Sequence, residues 1–175
     1  PEILHGLRDL GLLAIQGYGL TECSPIAAVN RDTYYRDSSA GLAMPNVLLD
    51  IYDVQDDGTG EIRVRGDNVM LGYYGMPELT AEVKRDGWFY TGDLGYLDAD
   101  GFLHITGRKK NVIVTSNGKN IFPEELETYL CRTPYVAESV VVGFINPKKK
   151  DYDIVAIIYP DKERMKETYG ESWTR

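Results

Sequence analysis

Three Asp-Gly pairs, Asp57-Gly58, Asp86-Gly87 and Asp100-Gly101, punctuate the middle of the sequence and limit what it can fold into. Both residue types tolerate the backbone of a tight turn, so a pair set between apolar or alternating runs marks a hairpin. Val47 to Val54 reads as one strand, and Glu61-Ile62-Arg63-Val64-Arg65 alternates charged and apolar residues as a half-buried strand does. Tyr96-Leu97 and Phe102 to Ile105 flank the last pair. Several short strands at this spacing suggest a small antiparallel barrel or sandwich.

The flanks differ. Ile3, Leu4, Leu7 and Leu10 stand at helical spacing and predict a short helix that Gly11 ends. Leu12-Leu13-Ala14-Ile15 is a continuous apolar run, expected as a buried strand. It leads into the Gly-rich segment Gln16-Gly17-Tyr18-Gly19-Leu20-Thr21-Glu22. After Gly107 comes the basic run Arg108-Lys109-Lys110, then a strand at Val112 to Val114 and a hairpin turn at Ser116 to Lys119. Pro123 suits the first position of a helix, with Glu124, Glu125 and Glu127 near its positive end, and this helix is expected to reach about Arg132. Strands follow at Val136 to Ile145 and Ile154 to Tyr159, joined by a turn at Lys148 to Lys150, with a helix over Asp161 to Tyr169. The fold class is α+β, divided into residues 1–107 and 108–175.

Composition narrows the function. A net charge of -8 argues against non-specific nucleic-acid binding. Residues 1–107 carry seven Lys/Arg against seventeen Asp/Glu, and residues 108–175 carry twelve against ten. This asymmetry reads either as chance and acidic solvated turns in the first part, or as a second part that handles something anionic. No apolar run approaches the ~18 residues of a membrane span. Cys23 and Cys131 form no metal-binding pattern and read as packing residues, which fits a reducing, cytoplasmic setting.

Three segments can carry chemistry. In Tyr18-Gly19-Leu20-Thr21-Glu22 the glycines let backbone approach a ligand, Thr21 can hold a phosphate, Glu22 can hold Mg²⁺ and the Tyr18 ring can stack on a base. In Tyr90-Thr91-Gly92-Asp93-Leu94 a carboxylate on a tight turn can accept hydrogen bonds from two ribose hydroxyls. In Gly107-Arg108-Lys109-Lys110 the cations can face phosphate or ribose. Each has an ordinary reading too: a strand-to-loop turn, an Asp that organises its own turn, a solvated basic turn. Asp98-Ala99-Asp100-Gly101 lacks the further ligands of a calcium loop and reads as a hairpin turn, and Tyr73-Tyr74 reads as barrel surface.

Order and spacing together add more than any one segment. Gly17 to Glu22, Gly60-Glu61-Ile62-Arg63-Val64-Arg65-Gly66, Gly72-Tyr73-Tyr74, Asp86 to Leu94, Gly107 to Lys110 and Pro123 to Glu127 follow one another in a series. This series resembles the carboxy-terminal part of the adenylate-forming superfamily: acyl-CoA synthetases, adenylation domains and luciferases. Arg108-Lys109-Lys110 with Val112 to Val114 and Asn117-Gly118-Lys119-Asn120-Ile121 is most similar to the long-chain fatty-acid–CoA ligase branch.

The resemblance implies the end of a large domain with a small β-barrel, followed by an α+β lid. It implies ATP, Mg²⁺ and CoA, and a fatty acid or other carboxylate that is first adenylated and then passed to CoA with release of AMP. Residue by residue, Glu22 would hold Mg²⁺ and Thr21 the phosphate. Tyr18 would stack on adenine, with the backbone of Gln16 and Gly17 along its edge, and Gly19 would belong to the same cofactor-binding segment. Asp93 and Arg108 would bind ribose, Lys110 would be the hinge of the lid, and Gly118 would line the pantetheine path. The resemblance also implies an upstream phosphate loop, an acyl pocket and a late lysine that this sequence does not show; Lys162 and Lys166 lack its Gly-Lys setting. The expectation is therefore a fragment, inactive alone. Peripheral membrane contact and oligomeric state stay open. Other readings are an acyl–carrier-protein ligase, a peptide-synthetase adenylation domain, or a non-catalytic nucleotide- or partner-binding module.

Overall fold

A computed structural model describes residues 2–149 and 151–170. The chain divides into two compact units, Pro1–Thr106 and Gly107–Arg175.

The first unit opens with α1 (Glu2–Asp9), then β1 (Gly17–Gly19), a single helical turn at Thr21–Cys23, β2 (Ile26–Val29) and β3 (Leu42–Ala43). β1, β2 and β3 form a three-stranded antiparallel sheet in that order. β4 (Val47–Tyr52), β5 (Gly60–Gly66), α2 (Pro77–Val83), β6 (Lys84–Arg85), β7 (Trp88–Leu97) and β8 (Leu103–Arg108) follow. These strands make a curled five-stranded antiparallel sheet in the order β4-β5-β7-β6, with β8 also on β7. The small antiparallel body expected from the turn signals is present. At Asp86-Gly87 both residues have positive φ (53° and 78°), as a two-residue hairpin turn requires.

Alternation decides what β5 buries. Ile62 and Val64 point inward and are fully buried, with Phe89, Leu103, Ala27, Ala28 and Cys23 around them. Each large apolar side chain removed from water in this way contributes about 1.5–3 kcal/mol. On the other face of the curled sheet, Arg63 pairs with Asp50 and lies over the rings of Trp88 and Tyr52, at 4.6 and 5.2 Å. The Asp98 turn is structural: Asp98 Oδ1 accepts the N–H groups of Asp100 and Phe102, and Oδ2 meets His104 and Arg36.

The second unit contains β9 (Ile113–Val114), β10 (Asn120–Ile121), α3 (Pro123–Leu130), β11 (Val136–Asn146), β12 (Asp151–Pro160) and α4 (Lys162–Tyr169). β9 and β10 form a hairpin, and β11 and β12 form a long antiparallel ribbon. Pro123 starts α3 as expected, and Asp161 caps α4 by accepting the Arg164 N–H. Lys148 and Lys149 lie in the expected turn; Lys150 lies outside the described residues.

Three expectations need correction. Leu12 to Ile15 forms no strand, and Leu12, Leu13 and Ile15 are exposed. A buried strand needs paired neighbours and two covered faces, and no described strand pairs with this run. Asp93 sits inside β7 rather than on a tight turn. Cys131 is exposed, because it follows the last turn of α3 on the solvent side; only Cys23 is a packing residue.

Candidate functional site

The Gly-rich segment and the middle of β7 meet in the first unit. Tyr18 is buried, and its hydroxyl donates to Asp93 Oδ2 at 2.6 Å. A bulge brings Asp93 there. Glu61 pairs with Leu94 and Arg63 with Tyr90, so Thr91, Gly92 and Asp93 lie opposite the single residue Ile62. Gly92 has φ +73°, a conformation that glycine adopts without strain. Side chains lock the bulge: Thr91 Oγ1 donates to the Ile62 carbonyl and accepts the Asp93 N–H, while Glu61 Oε1 accepts the Gly92 N–H. Asp93 and Glu61 are both buried. Burial, then donation to Asp93, holds the Tyr18 phenol well above its ordinary range, so it stays a hydrogen-bond donor.

An open cleft of about 660 Å³ lies along this segment, lined by Ile15, Gly17, Tyr18, Gly19 and Thr21 with Val29. β1 is an edge strand of its sheet. The Gln16 carbonyl accepts the Asn30 N–H at 2.8 Å and therefore faces β2. Main-chain direction alternates along an antiparallel pair, so Gly17 turns its N–H and C=O to the open edge. A side chain at Gly17 or Gly19 would meet backbone, at 2.9 Å from the Ala28 carbonyl and 1.9 Å from that of Pro25.

Thr21 is exposed and Glu22 half-buried. Glu22 Oε1 accepts the Tyr73 hydroxyl at 2.9 Å, and the Glu22 carbonyl accepts the Met70 N–H at 2.8 Å. Burial, then this bond to Glu22, raises the Tyr73 pKa. Tyr73 is half-buried with its hydroxyl turned to Glu22, whereas Tyr74 is fully exposed. No cluster of three or more His, Cys, Asp or Glu occurs among the described residues. Glu22, a hard-oxygen carboxylate next in sequence to Thr21 of the cleft wall, fits Mg²⁺, which is usually held by one or two carboxylates together with substrate phosphates. Cys23, next in sequence, is pushed up to about 11 by burial and then by Glu22, and is a neutral thiol.

The remaining candidates lie in the second unit or at its start. Arg108 ends β8 and is exposed, and Lys110 lies in the exposed turn that follows. That turn is braced at its end: Asn111 donates to Glu124 Oε1 at 2.6 Å and to the Arg108 carbonyl through its N–H. Gly118 sits at the tip of the β9–β10 hairpin with φ +78° and open space around it. Sequence reasoning missed Glu61, Thr91 and Tyr73. The motif Gly60-Glu61 did offer a signal, an acidic residue inside an alternating strand.

Residues 1–74 match the family described as AMP-binding enzyme. The chain is 42% identical over 168 residues to indoleacetate–CoA ligase of Aromatoleum aromaticum, covering 91% of this chain and 32% of that protein. It is 43% identical over 143 residues to a long-chain-fatty-acid–CoA ligase of Mycobacterium bovis, covering 82% of this chain and 23% of that protein. It resembles the solved structure of an O-succinylbenzoate coenzyme A synthetase from Bacillus subtilis in complex with ATP and magnesium ion. That match has a TM-score of 0.83 and 33% identity over 92% of this chain and 34% of that one. The chain spans about a third of the length of the indoleacetate ligase and about a quarter of the long-chain ligase, 32% and 23%.

Proposed function

Because the chain belongs to the adenylate-forming superfamily, we propose that it is the nucleotide-handling part of an AMP-forming acid–CoA ligase. The observation that carries this reading is the 2.6 Å bond between Tyr18 and Asp93, which ties the Gly-rich edge strand to a buried carboxylate 75 residues away.

On this reading ATP enters the cleft along β1. The Tyr18 ring packs against adenine, and the open main-chain edge at Gly17 meets the base. Asp93 accepts ribose hydroxyls; a carboxylate has about four acceptor sites, so this is compatible with the bond from Tyr18. The planar donor fork of Arg108 is read as a ribose ligand as well. Thr21 donates to a phosphate oxygen, and Glu22 holds Mg²⁺. The metal, when bound, offsets the charge that builds on the phosphoryl oxygens. A substrate carboxylate oxygen then attacks the α-phosphorus and pyrophosphate leaves. The CoA thiol attacks the acyl carbonyl of the adenylate and AMP leaves. Lys110 is read as the hinge between these steps, and Gly118, which has room beside it, as part of the pantetheine path.

The substrate reading is a fatty acid, supported by the basic and Asn-Gly-Lys-Asn-Ile segments of the second unit and by the similarity to the long-chain ligase. An aryl acid is the second reading, favoured by the longer match to the indoleacetate ligase. The test is thioester formation by the complete enzyme offered fatty acids of increasing length, indoleacetate and ferulate with ATP and CoA. The proposal expects AMP as product and the highest kcat/KM for a fatty acid. Faster turnover of an aryl acid selects the second reading, and ADP as product overturns both.

A further inference from the structure

Tyr73 belongs to a segment, Leu71-Gly72-Tyr73-Tyr74, to which the proposed reaction gives no task. Its placement is nevertheless tightly specified. Lys84 Nζ donates to the Met70 carbonyl at 2.6 Å, and the Met70 N–H donates to the Glu22 carbonyl. Thr80 Oγ1, on α2, accepts the Tyr73 N–H at 2.9 Å. A side chain at Gly72 would meet Thr80 Cγ2 at 2.8 Å, so the chain passes against α2 only with glycine there. The outcome is a phenol delivered to Glu22 Oε1 at 2.9 Å across 51 residues of sequence. Glu22 is thus held twice, by its main chain through Met70 and by its carboxylate through Tyr73.

We infer that Tyr73 is a positioning residue for the metal step: its hydroxyl fixes the Glu22 carboxylate in one rotamer, so that it meets the metal–nucleotide complex already oriented. This rests on the reading of Glu22 as the metal ligand. A carboxylate with a free torsion must give up that freedom on binding, whereas one locked beforehand does not. The hydroxyl donates to one oxygen without neutralising the carboxylate, and Tyr73 itself touches neither metal nor nucleotide.

The test compares binding of a non-hydrolysable ATP analogue to the complete enzyme with Mg²⁺ and with the metal chelated, by calorimetry. Tyr73→Phe keeps the ring and removes only the hydroxyl. The expected result is about tenfold weaker binding with Mg²⁺, the size set by losing a hydrogen bond to a charged group, and unchanged binding without metal. Thr80→Val, which keeps the phenol but removes the main-chain pin that aims it at Glu22, moves the Mg²⁺ value in the same direction and keeps the test available should Tyr73→Phe fold poorly. Tyr74→Phe changes neither value. Equal weakening with and without metal, or no weakening, overturns the inference. Glu22→Gln separates the two levels. If it abolishes the Mg²⁺ effect while Tyr73→Phe does nothing, the Glu22 reading stands and the Tyr73 inference falls. If Glu22→Gln leaves the Mg²⁺ effect intact, both fall.

Discussion

Tyr18 and Asp93 were each legible in the sequence as members of short motifs, but their bond was not, because nothing local reports a contact across 75 positions. Tyr73 and Tyr74 make the same point in adjacent residues: identical side chains, one carried onto Glu22 and one fully exposed, separated by chain direction alone. The buried pair has a pH consequence. The Tyr18 phenol ordinarily ionises at 10.0 and is raised in the fold. Above that ordinary value the unfolded chain loses its proton while the folded chain keeps it, so stability is complete below about pH 10 and falls as pH rises beyond it. Alkaline denaturation of Tyr18→Phe should therefore be less steep than that of the parent, measured as melting temperature against pH. Asp93→Ala removes an acceptor for charge-assisted hydrogen bonds worth about 1.5–3 kcal/mol each, so ATP affinity should fall at least about tenfold by equilibrium titration. An unchanged dissociation constant would remove Asp93 from the nucleotide site.

The hairpins were readable because an Asp-Gly turn imposes its geometry within four residues, as at Asp86-Gly87. The bulge in β7 was misread as a turn because a glycine at positive φ serves both features. What distinguishes them is the register, with Thr91 to Asp93 facing Ile62, and register is set by a partner strand. Leu12 to Ile15 failed for a related reason: an apolar run specifies a wish to be buried, not the neighbours that bury it. Gly92→Ala tests the bulge. The alanine Cβ meets no atom within 4 Å, so the cost is backbone strain alone. It should amount to about 1–2 kcal/mol of stability by denaturant titration. Because strain relief shifts Asp93, ATP affinity should fall with it, whereas a stability loss with unaltered affinity would detach the bulge from binding.

At the scale of the molecule, the change from turn-punctuated strands to a basic, mixed α/β sequence coincides with the separation of two compact units at Thr106/Gly107. Lys110 lies near the start of the second unit, in an exposed turn. If it is the hinge, Lys110→Pro fixes φ there and should spare one half-reaction while cutting the other about a hundredfold, the cost of misplaced reacting groups. Acyl-adenylate formation and thioester formation, assayed separately in the complete enzyme, decide this; equal loss of both would mark a folding defect instead. On the proposed function, the cleft beside the Tyr18–Asp93 pair holds the ATP whose α-phosphorus is attacked by a carboxylate. Exchange of labelled pyrophosphate into ATP by the complete enzyme reads this step without the later transfer to CoA. Exchange should require the carboxylate substrate and Mg²⁺, proceed without CoA, and drop sharply in Asp93→Ala. Exchange indifferent to the carboxylate, or undiminished in Asp93→Ala, would remove the cleft from this role.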